Sequence, residues 1–568
     1  MKKRILLAAA CLALVAGCSV ATEVAAWRYG FSPALGLQWE RLYAPWSVFV
    51  WCWQWYTSHP EIYQEAASSG LTAALVLFGL VGACFVTRNP YKVNPILHGS
   101  ARWAVGRDLK RAGLLADRGV YLGAWSKGNE LRYLRGGAEH VLVVAPTGSG
   151  KSVSVVIPTL LSWTESAFIL DLKGELWALS AGWRQKHAKN KVLRFEPAAS
   201  AGSVCFNPLD EIRIGTQYEV GDAQNISLLL VDPDGKGLND HWQKTAQSLL
   251  VGCILYLCIE AKRREPATLP GLDRMLADPA RDVGKLWKEM NAHRHPVVAA
   301  AGRDMIDRPD MEAGSVLSTA KSYLSLYRDP TVAANVSCSD FSIADLMHHE
   351  SPVSLYVITE ATDKVRLRPL VRILANLVLR RLASGMKQAK PTYRHKLLLM
   401  LDEFPSLGRL AIMEEALAFI RGYGIQAMLV TQDLTQLRAA YSKDESITGN
   451  CGIQIAFTTS NLGTAEHFSK MTGISTMVRE QVTRSGRMFA TNISRSMQES
   501  SRPLLTADEI MRMPGPQKDA EDRITKAGDV LIFANGFPAI RGRQSLYFCD
   551  PTFQDRAAVA SPETSSTL

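Results

Sequence analysis

Residues His140 to Ser152 read HVLVVAPTGSGKS, an apolar run that breaks into a loop of small residues closing on Gly-Lys-Ser. The stretch fits [AG]xxxxGK[ST], with Ala145 in the first place, where glycine is commoner but where the residue only starts the turn. HVLVVA predicts a buried strand. KSVSVVIPTLLSW predicts a helix start, and Pro158 implies a kink or an early end. Strand, glycine-rich turn and helix N-terminus converge backbone N–H groups on one point, as phosphate oxygens require. The expected nucleotide site is Thr147, Gly148, Ser149, Gly150, Lys151 and Ser152. In it the amides from Gly148 to Lys151 face the phosphates, Lys151 reaches the terminal ones, and the Ser152 hydroxyl takes a magnesium position.

A phosphate loop needs a second acid for the metal, on a neighbouring strand. KLLLMLDEF, Lys396 to Phe404, places Asp402 and Glu403 at the end of an apolar run, where open parallel sheets gather their ligands. Asp402 is expected to hold magnesium through water, and Glu403 to orient and deprotonate the attacking water. The adjacent glutamate favours hydrolysis over binding alone. IQAMLVTQD ends in Gln432, either a sensor of the terminal phosphate or a plain glutamine at a strand exit. MEEALAFIRGYGI predicts a helix carrying Arg421 in its last turn before Gly422. That arginine either stabilises transition-state charge in a neighbouring subunit or pairs with the helix dipole.

At 568 residues, 47% of them hydrophobic and 21% charged, the chain reads as several globular units rather than disorder. Only the tail after Asp550 has a frayed composition. The net charge of +10 is compatible with nucleic acid or an acidic membrane face and identifies neither. RQKHAKNK (Arg184 to Lys191) and KRR (Lys262 to Arg264) read as solvated surface patches. The ten cysteines show no CxxC pair, so neither a zinc site nor a disulfide framework is expected.

Two apolar stretches, Ile5 to about Ala26 and Gly70 to Thr87, are each near the ~20 residues that cross a bilayer. Their short basic flanks predict that both outer ends are cytoplasmic and that residues 27 to 69 lie outside the inner membrane. VAGC at Val15 to Cys18 leaves a rival reading, a lipid-modified cysteine after a secretory signal. The Trp-rich Ala44 to Thr57 is too short to span. It reads as an interfacial aromatic belt, with a partner-docking helix as the alternative.

In the body, apolar strand runs recur at Val141 to Ala145, Ala167 to Glu175, VLRFEP, Val353 to Thr359, the acidic and glutamine strands, and GIQIAFTT. Helical stretches such as LRPLVRILANLVLRRLASGM separate several of them, which predicts a mostly parallel α/β sheet. Lys151 and Asp402 are much further apart than a few βαβ units require. The excess predicts an all-α insert over roughly 215 to 340. The expected layout is a membrane anchor over 1–90, a nucleotide-binding domain in two parts (91–214 and 341–550) around the insert, and a flexible tail over 551–568.

APTGSGKS, DLKGE, FNPL, SDF, LRPLVRIL, LDEFPSLGRL, GYGI, TQD and RPLLTADEI, in this order behind two spans, resemble the type IV coupling protein family, the TraG-like ATPases of conjugation and type IV secretion. The resemblance covers about residues 90 to 550. It implies a RecA-like P-loop ATPase with ATP and Mg2+ as cofactors, the nucleotide bound by Gly148, Gly150, Lys151 and Ser152, with Asp402 and Glu403 as the acidic motif, Gln432 as sensor and Arg421 at a subunit interface. It implies a hexameric ring at the bacterial inner membrane that receives relaxase-bound single-stranded DNA or a protein and delivers it to the secretion channel. Asp171 in DLKGE matches a family signature, with a structural role favoured. A pump dedicated to protein effectors or toxins, a nucleotide-binding scaffold, and a double-stranded DNA pump are the competing readings. Glu403 argues against the scaffold, and the insert and the two spans argue against the last.

Overall fold

Each of the seven apolar runs that the sequence marks as strands is a strand, and all seven lie side by side. The computed structural model describes the chain apart from residues 1, 39–41, 87–95, 128–129, 262–264, 281, 384–392 and 486–491. The KRR patch, the basic flank of the second apolar stretch and the end of the helical stretch after Ala383 therefore lie outside the described residues. The chain divides into residues 1–95 with 478–499, and residues 96–477 with 500–568.

The strands are β1 (Val120–Lys127), β2 (Glu130–Gly136), β3 (Val141–Val144), β4 (Ser166–Asp171), β5 (Lys191–Phe195), β6 (Val353–Ile358), β7 (Leu397–Leu401), β8 (Ile425–Thr431), β9 (Ile453–Ala456), β10 (Ile474–Ser485), β11 (Asn492–Pro503), β12 (Gln517–Lys518), β13 (Ile524–Lys526), β14 (Asp529–Ala534) and β15 (Ile540–Arg543). One sheet of eleven runs β2-β1-β15-β14-β9-β3-β8-β7-β4-β6-β5. From β9 to β5 all neighbours are parallel. β14, β15, β1 and β2 extend the other edge in antiparallel pairs. β3, β4, β6, β7, β8 and β9 are buried at every position, which is why they read as unbroken apolar runs. The order sets β8 between β3 and β7, with β4 beyond β7. Four C-terminal strand ends therefore stand in a row: those of β3, β8, β7 and β4.

Between β5 and β6 the described residues form helices and turns and no strand, among them Glu219–Val231, His241–Glu260 and Leu269–Ala277. Their apolar faces share one hydrophobic core with the sheet: Leu229, Leu250 and Leu272 pack in the same cluster as Phe168 and Leu399.

Two expectations are corrected. RQKHAKNK is not wholly a solvated patch, because Arg184 is completely buried. Its guanidinium donates to the carbonyls of Leu160 (3.1 Å), Trp163 and Glu165 (2.7 Å), to Ser354 Oγ (2.8 Å) and to Asn190 Oδ1 (2.8 Å), so its donors are met without a carboxylate. Burial lowers its pKa to about 10.

The stretch after Asp550 is not frayed either. It forms the helix Pro551–Ala557 and then runs along β5. Ser566 N donates to Val192 O (2.8 Å), while the Val192 and Arg194 amides donate to the hydroxyls of Ser566 (3.0 Å) and Ser565 (2.9 Å). Its serines, polar by composition, satisfy an edge strand that would otherwise expose unpaired amides. Deleting residues 559–568 is expected to lower hydrogen-exchange protection at the Val192 and Arg194 amides by roughly five- to tenfold, the worth of one hydrogen bond. Unchanged protection would contradict this pairing.

At the start of the chain, the helices Lys2–Arg28 and Pro60–Val86 contain segments long and apolar enough to cross a membrane, Ala10–Arg28 and Pro60–Val81. They touch at Gly17 and Gly70. A Cβ on Gly17 would stand 2.7 Å from Gly70 O, and one on Gly70 would stand 2.6 Å from Gly17 O, so only glycine allows the approach. Cys18 is a free thiol within the first helix. The Trp-rich segment forms the nine-residue helix Ser47–Trp55. Trp51 is buried, donates to Leu35 O at 3.0 Å and meets Tyr43 edge-on at 4.9 Å, whereas Phe49 and Trp53 are exposed.

Candidate active site

The loop after β3 needs glycine twice. Gly148 and Gly150 have φ of +74° and +83°, and a Cβ on Gly150 would stand 2.8 Å from Ile524 Cδ1. Beyond Lys151 the chain enters a wide turn, Ser152–Val156, in which the Ile157 amide donates to Ser152 O. A short helix, Ile157–Leu160, follows with Pro158 near its start; this is the early end that Pro158 implied. Thr147, Gly148, Gly150, Lys151 and Ser152 line a cleft of about 310 Å³ together with Asp402, Glu403 and Gln432. Ser149 is buried under the loop, its hydroxyl bonded to Pro146 O at 2.6 Å.

Each acid of the pair meets a lysine. Lys151 Nζ donates to Asp402 Oδ1 at 3.0 Å, and Lys364 Nζ donates to Glu403 Oε1 at 2.9 Å. Glu403 has φ +66° and ψ +51°, a left-handed backbone that a residue with a Cβ rarely adopts. Such strain persists only where the surroundings enforce it, and it clusters at functional sites. Phe404, fully buried and stacked on Tyr441 at 5.2 Å, anchors the following turn. Thr147 Oγ1 donates to Gln432 Oε1 at 3.1 Å, so the glutamine at the end of β8 touches the phosphate loop. The oxygens of Ser152 and Asp402 on one cleft are the hard donors that magnesium prefers, and the two left-handed glycines open the loop's amides toward the same space. The chain's own residues thus fit both groups.

Asp171 stitches the turn beyond β4. Its carboxylate accepts from the amides of Lys173 (3.2 Å) and Trp177 (2.9 Å), fixing the start of the helix Glu175–Lys186 along the cleft wall. Burial raises its pKa against the pull of those amides.

Arg421 lies elsewhere. The helix expected to carry it ends at Ala416; Phe419, with φ −131°, leaves the helical path, and Arg421 sits in a separate tight turn, Ile420–Tyr423, closed by left-handed Gly424 rather than by Gly422. Its guanidinium pairs with the Glu139 carboxylate, not with a helix end. Arg421 precedes β8 and Gln432 follows it. Seven residues at about 3.3 Å each put roughly 20 Å between Arg421 and the cleft of its own chain. It borders a second cleft of about 630 Å³ at the N-terminal edge of the sheet, with Arg118 and Lys396.

Three residues at the site had no signal in the sequence. Lys364 opens the helix Lys364–Leu382, just ahead of the LRPLVRIL run. Gln544, buried beyond β15, donates to Ser149 O at 2.6 Å and accepts from the Gly528 amide at 2.8 Å, pinning the phosphate loop. Lys518, on the β12–β13 hairpin, places its Nζ 3.2 Å from where a Gly148 Cβ would stand and pairs with Asp522 at 2.9 Å.

A phosphate loop at the end of one buried parallel strand and an acid pair two strands away define a RecA-like P-loop protein. The chain belongs to the family described as Type IV secretory system Conjugative DNA transfer, matched over residues 102–568. It is 53% identical to a Conjugal transfer protein TraG of Escherichia coli, over 98% of this chain and 93% of that protein. It is 30% identical to Protein VirD4 of Agrobacterium fabrum strain C58, over 80% of this chain and 66% of VirD4. The fold is that of the plasmid coupling protein TrwB in complex with ADP and Mg2+, with a TM-score of 0.55 at 18% identity, covering 81% of this chain and 96% of TrwB. The resemblance read from the motifs, to type IV coupling proteins, therefore holds at the level of family.

Proposed function

We propose that this chain hydrolyses ATP at the cleft between β3 and β7 and uses the cycle to pass relaxase-bound single-stranded DNA into a type IV secretion channel. The observation that carries the reading is the double pairing of Lys151 with Asp402 and of Lys364 with Glu403 beside the phosphate loop. Thr147 to Ser152 bind the nucleotide. Lys151 exchanges Asp402 for the terminal phosphates, which frees that carboxylate. Ser152 and Asp402 hold magnesium, which when bound supplies positive charge to the phosphate oxygens. Glu403 orients the attacking water and takes its proton. Gln432, already bonded to Thr147, reports the state of the phosphate end to β8.

Arg421 acts in trans. Roughly half exposed and on the far edge of the sheet, it serves the cleft of the next subunit in a ring, for which six copies are the expected number. The segments Ala10–Arg28 and Pro60–Val81 anchor the chain in the bacterial inner membrane, with the body on the cytoplasmic side. The layout of anchor 1–90, nucleotide-binding parts 91–214 and 341–550 and helical insert 215–340 stands as part of this proposal. DNA is favoured over a protein effector by the family's description and by the conjugal relatives. Crosslinking in donor cells tests this: recovery of the transferred strand on this chain is expected, and recovery of secreted proteins alone contradicts it.

A further inference from the structure

Lys364 and its neighbours tie the general base to the helical region between β5 and β6. Lys364, Arg368 and Arg372 follow one another at i, i+4 and i+8, one face of the helix Lys364–Leu382. Lys364 holds Glu403 at 2.9 Å. Arg368 Nη1 donates to Asp234 Oδ1 at 2.7 Å, and Arg366 bridges Asp363 (2.8 Å) and Asp329 (2.7 Å). Asp234 and Asp329 both belong to the helical region, so the turn presenting Lys364 is held from two of its loops.

Arg372 is 2% exposed and donates to Leu407 O at 2.6 Å and to Asp232 O at 3.3 Å. Leu407 ends the tight turn that starts after Glu403, and Arg409 N donates to Asp234 O at 3.2 Å. The two loops are in backbone contact. A Cβ on Gly235 would stand 1.9 Å from Arg409 O, and one on Gly408 would stand 2.8 Å from Asp234 O. The loop Asp232 to Gly237 is itself rigid, because the Asp232 carboxylate accepts from the amides of Lys236 (2.9 Å) and Gly237 (2.8 Å). It joins the helices Glu219–Val231 and His241–Glu260.

The backbone at Glu403 is fixed by its left-handed conformation and by the buried Phe404, so the side chain is what remains free to turn. Lys364 decides where its carboxylate points. Pro369 provides a weak point in the same helix: it lacks the N–H that would bond the preceding turn, so the turn bearing Lys364 and Arg368 can shift against the rest.

We propose that Lys364 is a positioning residue that restrains the Glu403 carboxylate, and that the helical region sets this restraint through the Arg368–Asp234 and Arg366–Asp329 pairs. The inference rests on Glu403 being the general base. When the helical region moves, the turn carrying Lys364 moves with it, and Glu403 is released toward the phosphate end of the cleft.

Steady-state ATP hydrolysis by the whole chain in lipid nanodiscs tests it. Lys364→Met is expected to raise kcat roughly two- to fivefold, the release of one half-buried ion pair, with KM unchanged. Lys364→Arg keeps the pair and should keep the parent rate. Asp234→Asn leaves Lys364 in place and should raise kcat in the same direction by less. A kcat for Lys364→Met that falls or stays level overturns the restraint. A level kcat for Asp234→Asn beside a raised one for Lys364→Met overturns the link to the helical region. Glu403→Gln is the control, since turnover surviving in it would defeat the general-base reading instead.

Discussion

Glu403→Gln should lower ATP turnover about a hundred- to ten-thousandfold, the usual worth of a positioned general base, while KM for ATP stays near the parent value. The amide is nearly isosteric and its carbonyl oxygen still accepts from Lys364, so the turn through Phe404 and the left-handed backbone at position 403 should survive. What is lost is a group that can take a proton from water. Because Glu403 pairs with Lys364 while Lys151 pairs with Asp402, nucleotide affinity should be spared. Turnover and KM measured on the same preparation read both halves of this expectation.

Lys151→Ala should act differently, lowering kcat about a hundredfold or more and raising KM with it. Lys151 is the cation at the end of the phosphate loop, aimed at Asp402 in a cleft where both side chains are mostly buried. Preorganised charge in such a site is worth about a hundred- to a thousandfold per donor in the transition state. In the proposed role the lysine also meets the phosphates in the ground state, so part of its effect should appear as binding. A rise in KM with an unchanged kcat would confine Lys151 to binding, and no change in either would place the nucleotide elsewhere.

Six of the seven parallel strands are legible because they are buried at every position, which forces continuous apolar runs, and the edge strand β5 keeps three buried apolar residues, Val192, Leu193 and Phe195. The antiparallel strands were harder to see. β15 alternates buried and exposed residues and holds two arginines and a glycine, and the polar β12–β13 hairpin is two short strands. β14, Asp529–Ala534, is an apolar run too short to stand out from the polar residues around it. The phosphate loop and the acids could be read because they sit at strand ends in short local motifs. Lys364 could not, since it meets Glu403 only after a helix and a strand have folded the chain back on itself. Arg184 shows the limit of composition: a basic cluster reads as surface, yet its first residue is the pin among Leu160, Trp163, Ser354 and Asn190. The tail misleads for a related reason. Serines that look like a frayed end are equally suited to capping the amides of an exposed edge strand.

In the proposed function, hydrolysis at Glu403 drives delivery of DNA. The most direct test is the frequency of DNA transfer from donor cells whose only copy of this chain carries Glu403→Gln, with membrane-bound protein levels matched to the parent. Transfer should fall by at least the hundredfold expected for turnover. Transfer at the parental frequency, with ATP hydrolysis absent in the same variant, would contradict it.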